Sequence, residues 1–151
     1  MKKINYQQEF LSSVKPDILP LLYLDWQEIE HLKGVRDFDP DWDAYETLEL
    51  ANLLRVFTVR AEGKLVGYYS CIISPSLHCK GLLQANAEVV YLHKDYRKGL
   101  VGYKLFKFAE KCLKEDGIKV LHLTTTEVNP IDPVLSKLGY TKIETKFEKV
   151  L

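Results

Sequence analysis

Lys94, Arg97, Lys98, Gly99 and Gly102 crowd into one short stretch of the chain. Cations and glycines at that density suit the binding of an anion, provided the backbone N–H groups among them are free. The flanking residues supply that condition. Before the turn, Val89, Val90, Tyr91 and Leu92 form a β-branched and aromatic run that reads as a buried strand. After it, Val101, Leu105, Phe108, Ala109 and Cys112 fall on one helical stripe, with Lys104, Lys107, Lys111 and Lys114 off it. The first turn of a helix carries unpaired N–H groups and the positive end of the macrodipole. A strand feeding directly into such a turn makes a site for a phosphate or pyrophosphate. The stretch is not a P-loop, since no Gly-Lys-Ser/Thr follows, and not a dinucleotide fingerprint, since the three-glycine spacing is absent. Arginine and glycine are common in loops; the order of strand, turn and long amphipathic helix carries the reading.

A second group of residues offers proton chemistry. Glu88 lies in a strand that is otherwise apolar, where burial would raise its carboxyl toward the range useful to a general base. The plainer alternative is an edge-facing or ion-paired glutamate. His93 and His122 are rival bases, although each reads more simply as a packing or surface histidine. His78 and Cys79 are adjacent, but no further ligand follows at a spacing that would complete a metal site. Cys71 and Cys112 read as buried and Cys79 has no base beyond His78, so a covalent cysteine relay is not expected. Asp37, Asp39, Asp41, Asp43, Glu46 and Glu49 could attract a cationic amine; the simpler reading is a solvated helix start favoured by the dipole. Trp26, Trp42 and Tyr45 follow helical spacing and read as core.

The elements that must position these residues come from 151 residues with 46% hydrophobic content and zero formal net charge. That length suits one domain, residues 1–151. The charge balance argues against nucleic acid as a partner, and no apolar run approaches membrane-spanning length. Three cysteines suggest neither a disulfide framework nor zinc, so a reducing, cytoplasmic setting without a signal peptide is expected. A first strand is expected over residues 4–10. A helix over residues 15–31 follows, with Pro20 in its first turn, and is broken by Gly34. Asp39 as N-cap and Pro40 at the first helical position open a helix to residue 50, burying Trp42, Tyr45, Leu48 and Leu50. Residues 54–61 and 64–74 form a hairpin about Glu62-Gly63. Residues 75–84 connect to a strand over 85–92. The long helix stops at Gly117, and residues 120–125 return as a parallel strand. A short helix over 132–138 ends at Gly139, and residues 140–150 add one or two last strands. The result is an α/β sandwich with a mixed sheet.

The order of these elements and the segment Tyr96-Arg97-Lys98-Gly99-Leu100-Val101-Gly102-Tyr103 together resemble the GCN5-related N-acetyltransferase (GNAT) superfamily. The family signature is Arg/Gln-x-x-Gly-x-Gly/Ala between a strand and a helix. Arg97 and Gly102 match its ends; Leu100 stands at the usual middle glycine and Gly99 one residue early. The hairpin Gly63-Lys64-Leu65-Val66-Gly67-Tyr68 and the closing Leu138-Gly139-Tyr140 are also similar to the family's. The Asp39-Pro40-Asp41-Trp42 and Leu83-Gln84-Ala85 stretches resemble compact bacteriophage and bacterial members.

The resemblance implies a single-domain α/β fold whose mostly antiparallel mixed sheet holds a central parallel strand pair flanked by helices. It implies an N-acetyltransferase that moves an acetyl group from acetyl-CoA directly to a primary amine. The pyrophosphate would sit on Arg97, Lys98, Gly99, Leu100, Val101, Gly102 and Tyr103. The pantetheine arm would run along Leu92 in a gap between two parted strands, with Asn129 beyond. Glu88 is the expected base. Leu135 stands where the family often has a tyrosine acid, so that role does not carry over; Tyr91, Tyr96, Tyr103 or Tyr140 is expected to substitute, Tyr91 first among them, or water protonates the thiolate. The acceptor is a small-molecule, peptide or protein amine, and a homodimer is an allowed assembly. A protein that keeps the acyl-CoA groove without the chemistry is the alternative.

Overall fold

A computed structural model describes the whole chain, Met1–Leu151. Five strands form one sheet in the order β1 (Ile4–Gln8), β2 (Leu54–Ala61), β3 (Lys64–Pro75), β4 (Leu83–Leu92) and β5 (Val120–His122). The first four pair antiparallel and β5 runs parallel to β4. Glu62 and Gly63 both adopt positive φ, as a two-residue hairpin turn requires. The helices are α1 (Leu11–Ile29), α2 (Trp42–Leu50), α3 (Val101–Glu115) and α4 (Asp132–Lys137).

Two apolar layers sandwich the sheet. On one face, Leu105, Phe106, Ala109 and Leu113 of α3 pack onto Phe57, Val59, Tyr69, Cys71 and Ile73. On the other, Leu11, Val14, Ile18 and Leu21 of α1 pack onto Leu54, Val56, Leu65, Tyr68 and Tyr91. The spacing of each set is that of one helical stripe. The odd-numbered residues of β4 change face partway along because its register against β3 slips by one residue: Ser70 pairs with Val89, and Cys71 with Ala87. Glu88 is the extra residue of this bulge. Ala85 and Ala87 face α3 before it; Val89 and Tyr91 face α1 after it.

Several expected boundaries move. Helix α1 starts at Leu11, so Pro20 lies inside the helix, as does Pro16. Both are exposed, so the carbonyls they leave without a donor face water rather than the core. The early start is held by a distant group: the Glu49 carboxylate of α2 accepts from Leu11 N–H and Ser12 N–H. The cap of α2 is Asp41 rather than Asp39, its side chain accepting from Ala44 N–H at 2.9 Å. Leu50 is exposed rather than buried. Residues 140–150 add no strand, and β5 ends at His122 instead of Thr125. The parallel pair β4–β5 therefore closes one end of the strand order.

Candidate functional site

The turn between β4 and α3 begins with a 3₁₀ turn, Lys94–Tyr96, and passes through Gly99 at φ +84°. Side chains other than glycine rarely take that conformation. From there the chain enters α3 with no side-chain cap on Leu100. None of the N–H groups of residues 98–103 makes an internal hydrogen bond, backbone or side chain; the first satisfied amide is Lys104, donating to Leu100 O at 2.9 Å. Six successive donors are thus free at the positive end of a fifteen-residue helix. Lys98 and Lys104 are exposed beside them, and Tyr103 is half-buried.

Next to this turn the sheet parts. Strand β5 pairs with β4 only at Gln84, Ala85 and Asn86, and β4 then continues alone to Leu92. Leu92 closes the end of that gap, its side chain in van der Waals reach of a Cβ built on Gly102. Gly67 on β3 is packed tighter: a Cβ there would stand 2.7 Å from Tyr91 O and from Leu92 Cδ1. Asn129 lies exposed in the loop after β5, its N–H bound to Thr126 Oγ1 at 3.2 Å.

Arg97 does not point free into the cradle. Its Nε donates to Leu92 O at 2.7 Å, and its Nη2 meets both carboxylate oxygens of Glu28 at 2.8 Å. The guanidinium also lies 5.4 Å from the Tyr91 ring centre. Tyr91 is buried with its hydroxyl donating weakly to Glu28 at 3.5 Å. Burial first, then Glu28, pushes its ionisation up, so it keeps its proton at neutral pH.

Glu88 is exposed at the bulge, which corrects the expectation of a buried carboxyl. It lies close enough to Tyr45 of α2 to help burial raise that phenol. Sequence reasoning missed Asp25. This carboxyl of α1 makes no hydrogen bond or ion pair, and burial, then Glu28, pushes it up to about 6, opposed by Arg97. Over the same face stands Tyr68, whose buried hydroxyl has no partner. Burial raises Tyr68 strongly, with Asp25 and Tyr45 adding to it. A lone aspartate in the apolar run Leu21-Leu22-Tyr23-Leu24-Asp25-Trp26 was the available signal. Asp25, Tyr45, Tyr68 and Glu88 form a polar patch between α1, α2 and the bulge. It can take a group that donates hydrogen bonds and carries positive charge.

The histidines are placed otherwise. His122 Nδ1 is 3.1 Å from Asn86 Oδ1, and His93 caps the 3₁₀ turn through Asp95 N–H. Leu135 sits half-buried in α4.

With the parted strands and free-amide cradle described, the chain can be placed among known proteins. Its sequence matches the Acetyltransferase (GNAT) family over residues 16–140, and it belongs to that family. No curated protein matches it at a significant level. An aminoglycoside acetyltransferase from an uncultured soil metagenomic sample, solved with sisomicin, superposes with TM-score 0.76 at 14% identity, covering 98% of this chain and 96% of that one. An acetyltransferase from Clostridium acetobutylicum, solved with acetyl-CoA, gives 0.71 at 14% identity over 98% and 96%. A ribosomal-protein-alanine N-acetyltransferase from Brucella melitensis gives 0.67 at 17% identity over 99% and 97%. No helix of the chain is long and apolar enough to cross a membrane.

Proposed function

We propose that this protein is an N-acetyltransferase that moves the acetyl group of acetyl-CoA directly to an amine, in a reducing, cytoplasmic setting. The observation that carries the reading is the row of six free amides at residues 98–103, beside the point where β5 leaves β4. Diphosphate oxygens are matched by that row, by the helix dipole and by Lys98. Leu92 lines the pantetheine path, with Gly99, Leu100, Val101, Gly102 and Tyr103 shaping its phosphate end and Asn129 beyond β5. The family match and the acetyl-CoA bound to the Clostridium acetobutylicum neighbour support the same donor.

Acetyl-CoA supplies an acyl thioester, and the protein's task is to bring a neutral amine to it. The patch of Asp25, Tyr45, Tyr68 and Glu88 receives the amine as a cation. Glu88, solvent-accessible at the bulge, takes the proton through water. Free backbone groups along β4 lie where an oxyanion develops. Tyr91, held protonated, returns a proton to the departing thiolate. Sisomicin on one neighbour and a ribosomal protein named for another span the acceptor classes this face would meet.

Thiol release from acetyl-CoA, measured with spermidine, sisomicin and a lysine peptide, tests the reading. Turnover on at least one acceptor is expected, with Glu88→Gln lowering kcat on the order of 10²-fold and leaving acetyl-CoA affinity unchanged. Tight acetyl-CoA binding without turnover on any acceptor would instead identify a binding protein. No acetyl-CoA binding at residues 97–103 would end the proposal.

A further inference from the structure

A row of polar side chains crosses the sheet at the place where β4 and β5 part. Asn86 Nδ2 donates to Ser74 Oγ at 3.3 Å, and Asn86 Oδ1 lies 3.1 Å from His122 Nδ1. Asn86 and His122 are also the last residues that β4 and β5 pair. Their neighbours Ala85, Ala87, Leu121 and Leu123 pack toward α3, so strand alternation puts Asn86 and His122 on the α1 face. Glu88 follows on β4, close to Tyr45 of α2 on that face.

Asn86 fixes the state of the ring. Its amide nitrogen is turned to Ser74, and the oxygen that meets His122 can only accept. Nδ1 therefore carries the ring proton of the neutral imidazole, and Nε2 keeps its lone pair. Nε2 makes no hydrogen bond within the chain. A ring held in one tautomer, with its other nitrogen bare, is the arrangement that orients a base beside a reacting group. The ring is also well placed. From Leu92, beside the free-amide cradle, β4 runs back along the gap to Asn86, a distance of about 20 Å. A pantetheine arm laid in that gap from its phosphate end brings the thioester toward the fork that Asn86 and His122 close.

We propose that His122 is a second proton acceptor in the acetyl transfer, with Asn86 as its positioning residue. The inference rests on the acetyltransferase reading above and extends it to a proton that Glu88 does not handle. An ammonium acceptor loses one proton before it can attack, and Glu88 takes that one through water. Attack of the neutral nitrogen on the thioester carbon forms the C–N bond and leaves the nitrogen positively charged, with a further proton to lose. His122 Nε2 takes this second proton. The C–S bond then breaks, and the thiolate leaves with the proton of Tyr91. Of the two protons collected, one restores Tyr91 through water and the other passes to solvent. That matches the single proton released when an ammonium is acetylated by a thioester.

The test follows the ring and then the reaction. Nitrogen-15 resonance of the unaltered chain should show the neutral His122 ring with Nδ1 protonated and Nε2 bare, and acetyl-CoA should shift its signals. With whichever of spermidine, sisomicin and a lysine peptide turns over best, His122→Ala should lower kcat on the order of 10²-fold and leave acetyl-CoA affinity unchanged. Added imidazole should restore turnover; pyrazole, a ring of the same size and far weaker as a base, should not. If H122A fails to fold, the resonance result on the unaltered chain decides. The opposite tautomer, or signals unmoved by acetyl-CoA that does bind, would overturn the inference and leave acetyl transfer standing. So would an unchanged kcat in H122A, a loss that imidazole does not relieve, or one that pyrazole relieves equally. A chain that turns over no acceptor would overturn both.

Discussion

Arg97 of the cofactor turn grips Glu28 of α1 through both carboxylate oxygens at 2.8 Å. The two residues lie 69 positions apart, and both side chains are about one-third exposed. The contact ties the cradle to the helix that walls the acceptor patch. A diphosphate entering the cradle competes with Glu28 for the same guanidinium. Charge-assisted pairs of this partly exposed kind contribute about 1 kcal/mol. Glu28→Gln should therefore tighten acetyl-CoA by a few-fold, about the factor that 1 kcal/mol represents. Arg97→Ala should weaken it about tenfold. Calorimetric titration checks both, and equal affinities in all three proteins would show that Arg97 never leaves Glu28.

Asp25 gives a pH dependence with a definite sign. Its carboxyl moves from 3.8 to about 6 on folding, so the folded chain binds its proton more tightly than the unfolded chain does. Stability is then greatest below pH 4 for this group, and falls as pH rises through 6. Asp25→Asn should be more stable than the parent above pH 6 by about 1–2 kcal/mol, allowing for the side chain's residual exposure, with the gap closing near pH 4. Urea midpoints at pH 4 and pH 7.5 measure it; a variant less stable at pH 7.5 would mean that Asp25 is paired.

Tyr68 carries a buried hydroxyl with no partner. Tyr68→Phe should leave stability unchanged or raise it by about 1 kcal/mol, since an unmet hydroxyl is costly to bury. If the acceptor supplies the missing partner, the same change raises the acceptor KM several-fold, a loss of one neutral hydrogen bond. A destabilised Tyr68→Phe would reveal an internal bond instead.

Gly67 and Gly102 predict opposite outcomes for the same substitution. At Gly67 a methyl group would meet backbone at Tyr91 O, 2.7 Å away, so Gly67→Ala should cost about 1–3 kcal/mol. At Gly102 it would meet only Leu92 Cδ2 at 3.5 Å, and the position is helical. Gly102→Ala should gain up to about 1 kcal/mol while crowding the cradle and weakening acetyl-CoA. Thermal melts of the two variants separate these cases.

Much of this fold is legible locally. The alternation on β2 and β3, the Glu62-Gly63 turn, the apolar stripe of α3 and the glycine ends at Gly117 and Gly139 all report structure within a few residues of themselves. What escaped depended on distant partners. The start of α1 is set by Glu49, 38 residues away from Leu11. The Asp25–Tyr68 patch spans a helix and a strand, and Glu28 captures Arg97 across the whole domain. Residues 141–151 have the alternation of a strand, but within one chain nothing pairs with them. Alternation shows that a segment can form a strand; it does not supply the neighbour that a strand needs.

Glu88 does more than supply a carboxylate. As the odd residue in β4, it lets Ala85 look toward α3 and Tyr91 toward α1 along one continuous strand. Replacing its side chain alters chemistry alone. Removing the residue altogether would let Val89 follow Ala87 directly and keep its pairing with Ser70, so Tyr91 would still face α1 and Leu92 α3, and only the bulge would be lost. An excision here is absorbed by the ladder, whereas excising a paired neighbour such as Val90 would turn Tyr91 and Leu92 to the opposite faces, so scanning by deletion should find Glu88 the tolerant position of this strand.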